Sequence, residues 1–228
     1  MPRKVLMDLN GKPMLAQLHR RLQACKEAFA VVVAAPIHDV KEIQKACPDI
    51  PVYGGPEEDL LTRLLGCAEE YEAYTLVRVT ADCPLVCPDM IDRGIALLDK
   101  GWHRKERIPC VHNWYGNRTW PDGFDFDIWP VEFLSNLSDM IPREHREYFA
   151  QHVLSTGLSN TSMECPKNLS QYRLTVDYPE DLELIRKIYA EMGEECWGAD
   201  LIAQWLLTNP VAAKMNAHRI DGKYGAKE

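Results

Sequence analysis

Residues 30–35 read Ala-Val-Val-Val-Ala-Ala, an apolar run without alternation. A strand that alternates can leave one face in water, but one that is apolar throughout needs cover on both faces, as in a parallel sheet layered by helices. The flanks agree. Leu15, Leu18, Leu22 and Cys25 recur at helical spacing before the run, and a helix over 40–46 follows it. The series continues with a short strand at 52–53, a helix over 57–71, a strand over 75–80, a helix over 88–98 and a strand over 107–112. After an irregular stretch at 113–122, a strand over 124–129 places Phe124, Phe126 and Ile128 on one face and Asp125 and Asp127 on the other. Helices over 131–136 and 143–155, a strand over 172–176 and helices over 179–192 and 199–207 complete the pattern, with a frayed tail over the last dozen residues. This alternation predicts an α/β fold, a three-layer α/β/α sandwich with a mostly parallel, Rossmann-like sheet. At 228 residues one domain over 1–228 is expected, with 113–170 as an excursion.

The formal net charge of −8 argues against a nucleic-acid surface, which carries a basic face. No apolar run reaches the roughly 18 residues of a membrane span, and the first fifteen residues are too polar for a signal peptide, so a cytoplasmic protein is expected. The eight cysteines form no CxxC pair, and thiols scattered over strands and helices pack as small apolar groups.

Two carboxylates occupy equivalent steps of this series. Asp82 ends Thr75-Leu76-Val77-Arg78-Val79-Thr80-Ala81-Asp82-Cys83-Pro84-Leu85, and Asp177 ends Tyr172-Arg173-Leu174-Thr175-Val176-Asp177 before Tyr178-Pro179-Glu180-Asp181-Leu182-Glu183. Each follows a short apolar strand and precedes a proline-led turn into a helix. Ligands of open α/β sheets bind beyond the carboxyl ends of the strands, so the two can meet on one hard cation, as magnesium is held beside a nucleoside triphosphate. Each could instead cap the helix that follows it. Glu180 and Asp181, in the first helical turn, are expected to serve the helix terminus.

The start of the chain, Pro2-Arg3-Lys4-Val5-Leu6-Met7-Asp8-Leu9-Asn10-Gly11-Lys12-Pro13-Met14-Leu15, sets basic residues around an apolar stretch. With the two aspartate segments, and with Gly55-Pro56-Glu57-Glu58-Asp59-Leu60-Leu61-Thr62-Arg63, Trp120-Pro121-Asp122-Gly123-Phe124-Asp125 and Arg143-Glu144-His145, it resembles the sugar-nucleotide cytidylyltransferases. The nearest branch is the one named after spore-coat polysaccharide biosynthesis, with the acylneuraminate and 3-deoxy-manno-octulosonate cytidylyltransferases as cousins.

The resemblance implies a sheet of the nucleotide-diphospho-sugar transferase type and a magnesium-dependent transfer of CMP from CTP to an acidic sugar or related acid, releasing pyrophosphate. It implies Lys4, Asp82 and Asp177 as catalytic residues, with Asp82 and Asp177 holding Mg2+. Arg3, Lys4, Lys12, Asp59 and Arg63 fall to the nucleotide, and Asp122, Asp125, Arg143 and His145 to the acceptor. The implied partners are CTP and an acidic small molecule, with no nucleic acid and no membrane; a homodimer is compatible with it. Two positions depart from the family pattern, where Arg3 and Ala81 stand in place of glycines. The family also has an apolar strand and an arginine-bearing phosphate loop ahead of the lysine that Lys4 matches. About ten such residues are therefore expected before Met1, or a strand from another chain in that place, since otherwise the strand at 30–35 would leave an apolar edge or an unfilled slot.

Other readings of the same residues are a nucleotidyltransferase acting on a sugar phosphate or phosphonate, a glycosyltransferase using Asp125-Phe126-Asp127 as an Asp-x-Asp metal motif, and a non-catalytic nucleotide-binding protein.

Overall fold

Asn10 and Gly11 shape the start of the chain. The computed structural model describes residues 3–103, 108–195 and 198–222. Both turn residues take positive φ, 55° and 80°, as a tight hairpin turn requires. The turn joins β1 (Asp8–Leu9) to antiparallel β2 (Lys12–Pro13), a pairing that the Asn-Gly dipeptide signals. Helix α1 (Met14–Leu22) follows, with Leu15 and Leu18 turned inward. Then β3 (Val33–Pro36), α2 (Val40–Ala46), β4 (Val52–Gly55), α3 (Leu60–Glu70), β5 (Thr75–Val79) and α4 (Pro88–His103) alternate in the expected order.

β3 and β4 pair in parallel, with Val33 opposite Val52 and Pro36 opposite Gly55. The strand therefore starts three residues later than the apolar run predicts, because its ladder with β4 begins at Val33. On its other side β3 has no hydrogen-bonded neighbour among the described residues. There a cavity of about 380 Å³ separates residues 30–34 from 77–81, walled also by Leu15, Leu18 and Leu22.

A separate four-stranded sheet is mixed, which corrects the expectation of a mostly parallel one. β6 (Val111–His112), β7 (Phe126–Pro130) and β8 (Thr161–Ser162) join β5 in the order β5-β7-β6-β8. β7 runs antiparallel to both β5 and β6, while β6 and β8 are parallel. A parallel neighbour needs a crossover, usually helical. The chain between β6 and β7 contains no helix, and it returns antiparallel.

Beyond β7 lie α5 (Val131–Ser138), α6 (Phe149–Ser155), α7 (Pro179–Met192), α8 (Ala199–Thr208) and α9 (Pro210–Ala213). The helix predicted over 143–155 is broken: Arg143–His145 is a separate 3-10 turn ahead of α6. The strand predicted over 172–176 makes only an isolated bridge, Arg173 to Asp122. A 3-10 turn, Ala217–Gly222, occupies the first half of the predicted tail; residues 223–228, like Arg107 of the predicted strand and Cys196, lie outside the described residues.

The main apolar cluster runs from Leu9 through Val86, Phe124, Leu174 and Ile185 to Trp205 and Ala213. A second gathers Leu61, Leu76, Trp129, Leu134 and Phe149. The seven described cysteines are free thiols. Among the described residues no helix is long and apolar enough to cross a membrane.

Candidate active site

Backbone pairing brings the two aspartate segments side by side. The Val176 N–H donates to the Asp82 carbonyl at 2.9 Å and the Thr175 hydroxyl to the same oxygen at 3.2 Å. Asp82 thus leaves the end of β5 next to Asp177, which stands immediately before the N-terminal turn of α7. Ala81, which the family resemblance sets against a glycine, is not among the residues of positive φ.

The N-terminal segment supplies the third member. Arg3 adopts the left-handed region, φ 56° and ψ 25°, so the backbone takes the glycine-like turn with an arginine in place, at a cost of roughly 1–2 kcal/mol. A 3-10 turn, Lys4–Leu6, follows and aims Lys4 at both carboxylates. Its Nζ lies 2.8 Å from Asp82 Oδ2 and 2.8 Å from Asp177 Oδ1. Burial opposes the ammonium charge, but the two carboxylates outweigh it and the Lys4 pKa stands above its ordinary 10.5. Groups 78 and 173 positions apart in sequence meet on one nitrogen.

Behind this cluster sits Arg173, only 2% exposed. It donates to Asp181 through Nε at 3.0 Å and Nη2 at 3.1 Å, to Asp177 Oδ2 at 2.7 Å and to Asp122 Oδ2 at 2.8 Å. Asp181 in turn accepts the Asp177 and Tyr178 N–H groups at 2.9 Å each, the helix-capping part expected of it. One guanidinium thereby fixes three carboxylates, leaving Asp177 Oδ1 turned toward Lys4. Gly123 permits the approach: its φ is 104°, and a Cβ there would lie 2.3 Å from the Leu174 carbonyl carbon and the Thr175 nitrogen.

A crevice of about 250 Å³ opens over the carboxylates, walled by Arg78, Thr80, Trp114, Asp122, Asp125, Glu147 and Gln151 together with Asp82 and Asp177. Burial lifts the Asp125 pKa from 3.8 to about 6, with Arg118 opposing and Asp122 adding to the rise. Asp122 is raised as well, chiefly by burial, with Arg118 and Arg173 opposing. Arg118 pairs with both Asp125 and Asp122. Arg78 forms a close pair with Asp127.

Asp127 is fully buried and also accepts the indole N–H groups of Trp114 at 3.1 Å and Trp129 at 2.6 Å. Its oxygens are thus committed to Arg78 and two indoles, and Asp125-Phe126-Asp127 is not arranged as an Asp-x-Asp metal motif.

The remaining sequence candidates lie elsewhere. Arg3 pairs with Glu42 at 3.1 Å on the surface. Lys12 donates to Glu194 at 2.9 Å, tying β2 to the segment after α7. Asp59 caps α3 by accepting the Thr62 N–H at 2.9 Å and also holds Arg146 at 3.2 Å. Burial works to raise its pKa, yet those two donors bring it below 3.8. Arg63 donates to the Pro56 and Glu57 carbonyls at 2.6 and 3.1 Å, stapling its own loop. Arg143 and His145 sit on the 3-10 turn outside the crevice lining, with His145 stacked on His152 at 4.2 Å. Arg78 and Arg173, absent from the sequence candidates, each interrupt an apolar strand pattern, and a lone charge in such a run is the signal that points to them.

The oxygen-only pair of Asp82 and Asp177 suits a hard divalent cation, and the Lys4 ammonium between them marks where positive charge is stabilised. Among the described residues no group of three or more His, Cys, Asp or Glu side chains is placed to hold a metal. Two protein carboxylates plus substrate phosphates and water is the mode in which magnesium is commonly bound.

The chain is similar to several known proteins. Residues 1–108 match the cytidylyltransferase family model. The spore coat polysaccharide biosynthesis protein SpsF of Bacillus subtilis is 28% identical, over 93% of this chain and 91% of that protein. A 3-deoxy-manno-octulosonate cytidylyltransferase of Pelobacter propionicus is 33% identical, over 49% of this chain and 46% of its own length. Among solved structures, a cytidylyltransferase from Leptospira borgpetersenii superposes with a TM-score of 0.83 at 23% identity, covering 100% of this chain and 93% of that one. A CMP:2-keto-3-deoxy-manno-octonic acid synthetase in complex with CTP gives 0.63 at 18% identity, covering 84% and 93%.

Proposed function

We propose that this chain, which belongs to the cytidylyltransferase family of nucleotidyltransferases, transfers CMP from CTP to an acidic sugar or related acid and releases pyrophosphate. The observation that carries this reading is the meeting of Lys4, Asp82 and Asp177 beside a polar crevice, from three distant segments.

In the reaction an acceptor oxygen forms a bond to the α-phosphorus, the bond from that phosphorus to the α,β-bridging oxygen breaks with its electron pair leaving on pyrophosphate, and the acceptor proton passes to solvent. Asp82 and Asp177 would hold magnesium, which when bound neutralises phosphate charge and polarises the α-phosphate. Lys4 stabilises the negative charge that builds on the departing pyrophosphate. Arg173 fixes the orientation of Asp177 and Asp122, and preorganised groups of this kind avoid reorganisation during the reaction. Arg78 is the basic side chain among the residues lining the crevice.

Pyrophosphate release from each of the four nucleoside triphosphates, with a panel of acidic sugars and with or without magnesium, tests the reading. Release from CTP alone, dependent on an acidic acceptor and on magnesium, is expected. Acceptor-dependent release from another triphosphate in preference to CTP would refute the base assignment, and release with neutral sugars only would refute the acceptor class.

A further inference from the structure

We infer that Lys4 is the resident cation of the Asp82–Asp177 pair, and that a divalent ion enters only with the triphosphate, which takes the Lys4 ammonium off the carboxylates. The inference deepens the nucleotidyltransferase reading and rests on it for the identity of the triphosphate.

The oxygens that would ligate a metal are those Lys4 now holds. Asp177 directs Oδ2 to Arg173 at 2.7 Å and Oδ1 to Lys4, while Asp82 directs Oδ2 to Lys4 and has the Cys83 thiol 3.6 Å from Oδ1. Lys4, Asp82 and Asp177 retain only 24%, 23% and 17% of their side-chain exposure. In so shielded a position salt screens charges weakly, and a divalent cation beside an ammonium meets strong repulsion.

Two carboxylates are also a sparse site for an ion that sheds its water reluctantly. A free divalent ion must therefore displace an ammonium held by two carboxylates at 2.8 Å each and gain little in return. A triphosphate changes the balance on both sides. It brings further oxygen ligands for the ion, and it offers the ammonium a new anionic partner. Lys4 can follow, because its charge rides on a flexible four-carbon stem rising from a three-residue 3-10 turn. Metal and nucleotide binding are then coupled through one side chain.

The test uses Mn2+ as the probe, measured by electron paramagnetic resonance on the full chain, as wild type, Lys4→Met and Lys4→Gln, with and without CTP. Without nucleotide, both variants should bind Mn2+ about tenfold more tightly than wild type, a factor within the roughly 5- to 150-fold range of couplings between sites. With CTP, wild type should gain Mn2+ affinity more than either variant does. Circular dichroism confirms folding, and the use of two neutral variants guards against loss of either. Equal or weaker Mn2+ affinity in both folded variants overturns the inference, even where CTP turnover is intact. A variant gain in a protein that does not turn over CTP supports the resident-cation role while the CTP assignment falls.

Discussion

Replacing Arg173 with methionine removes the one guanidinium that holds Asp122, Asp177 and Asp181 together. Four hydrogen bonds of 2.7–3.1 Å disappear. Asp181, 0% exposed, is left with its backbone donors and Asn216 but no counter-charge. Removing one partner of a buried ion pair costs about 3–5 kcal/mol, because the other charge stays desolvated, a large share of a total stability of roughly 5–15 kcal/mol. The urea midpoint of Arg173→Met should therefore fall by about 1–2 M, given slopes of a few kcal/mol per M. Arg173→Lys keeps a charge but cannot fork to three carboxylates, and should fall between methionine and wild type. Arg173→Met with Asp181→Asn should cost less than the two single changes added, since the stranded charge goes with its partner. A midpoint for Arg173→Met within about 0.2 M of wild type would refute the reasoning, because no buried charge could then have been stranded.

Asp82→Asn and Asp177→Asn should each lower magnesium-dependent pyrophosphate release by about a hundredfold or more, the scale of losing a directed electrostatic contact in a reacting site; equal turnover in either variant would remove that residue from the site. Unfolding should be changed more by Asp177→Asn, which also loses its ion pair to Arg173. Asp125 makes a pH forecast. Its folded pKa of about 6 stands above its ordinary 3.8, so the folded state holds a proton the unfolded chain has lost, and that contribution to stability is full below about 4 and lost as pH rises through about 6. Urea unfolding of wild type minus Asp125→Asn should show that decline, and a flat difference from pH 4 to 7 would contradict it. Gly123→Ala forces a Cβ to within 2.3 Å of the Leu174 and Thr175 backbone at φ 104° and should cost about 3 kcal/mol or more; a urea midpoint like wild type would show that the segment yields freely.

The helices and strands of the first hundred residues follow their local signals closely. The apolar faces of α1 and α3, the parallel pair β3–β4 and the turn at Asn10-Gly11 all rest on interactions within a few residues or on one strand–helix–strand unit. Asp181 as a helix cap belongs to the same kind of information. The mixed sheet does not, because strand direction in β7 depends on the path of residues 113–125, which carry little periodicity. The break between Arg143–His145 and α6 is of the same origin, with Arg146 drawn to Asp59, 87 positions away, and to the Ile141 and Ser138 carbonyls.

For the site, the amino-acid sequence by itself determined that Asp82 and Asp177 end equivalent extended segments before proline-led turns, and through its family likeness it pointed to Lys4. Only the tertiary structure decided that all three share one point, since contacts across 78 and 173 positions leave no periodic trace. It likewise decided that Lys12, Asp59 and Arg63 are bound to Glu194, Arg146 and a loop's own carbonyls, and that Arg173 governs three carboxylates. A side chain's type and spacing limit what it can bond to; which partner it meets is set by the packing of elements far apart in the chain.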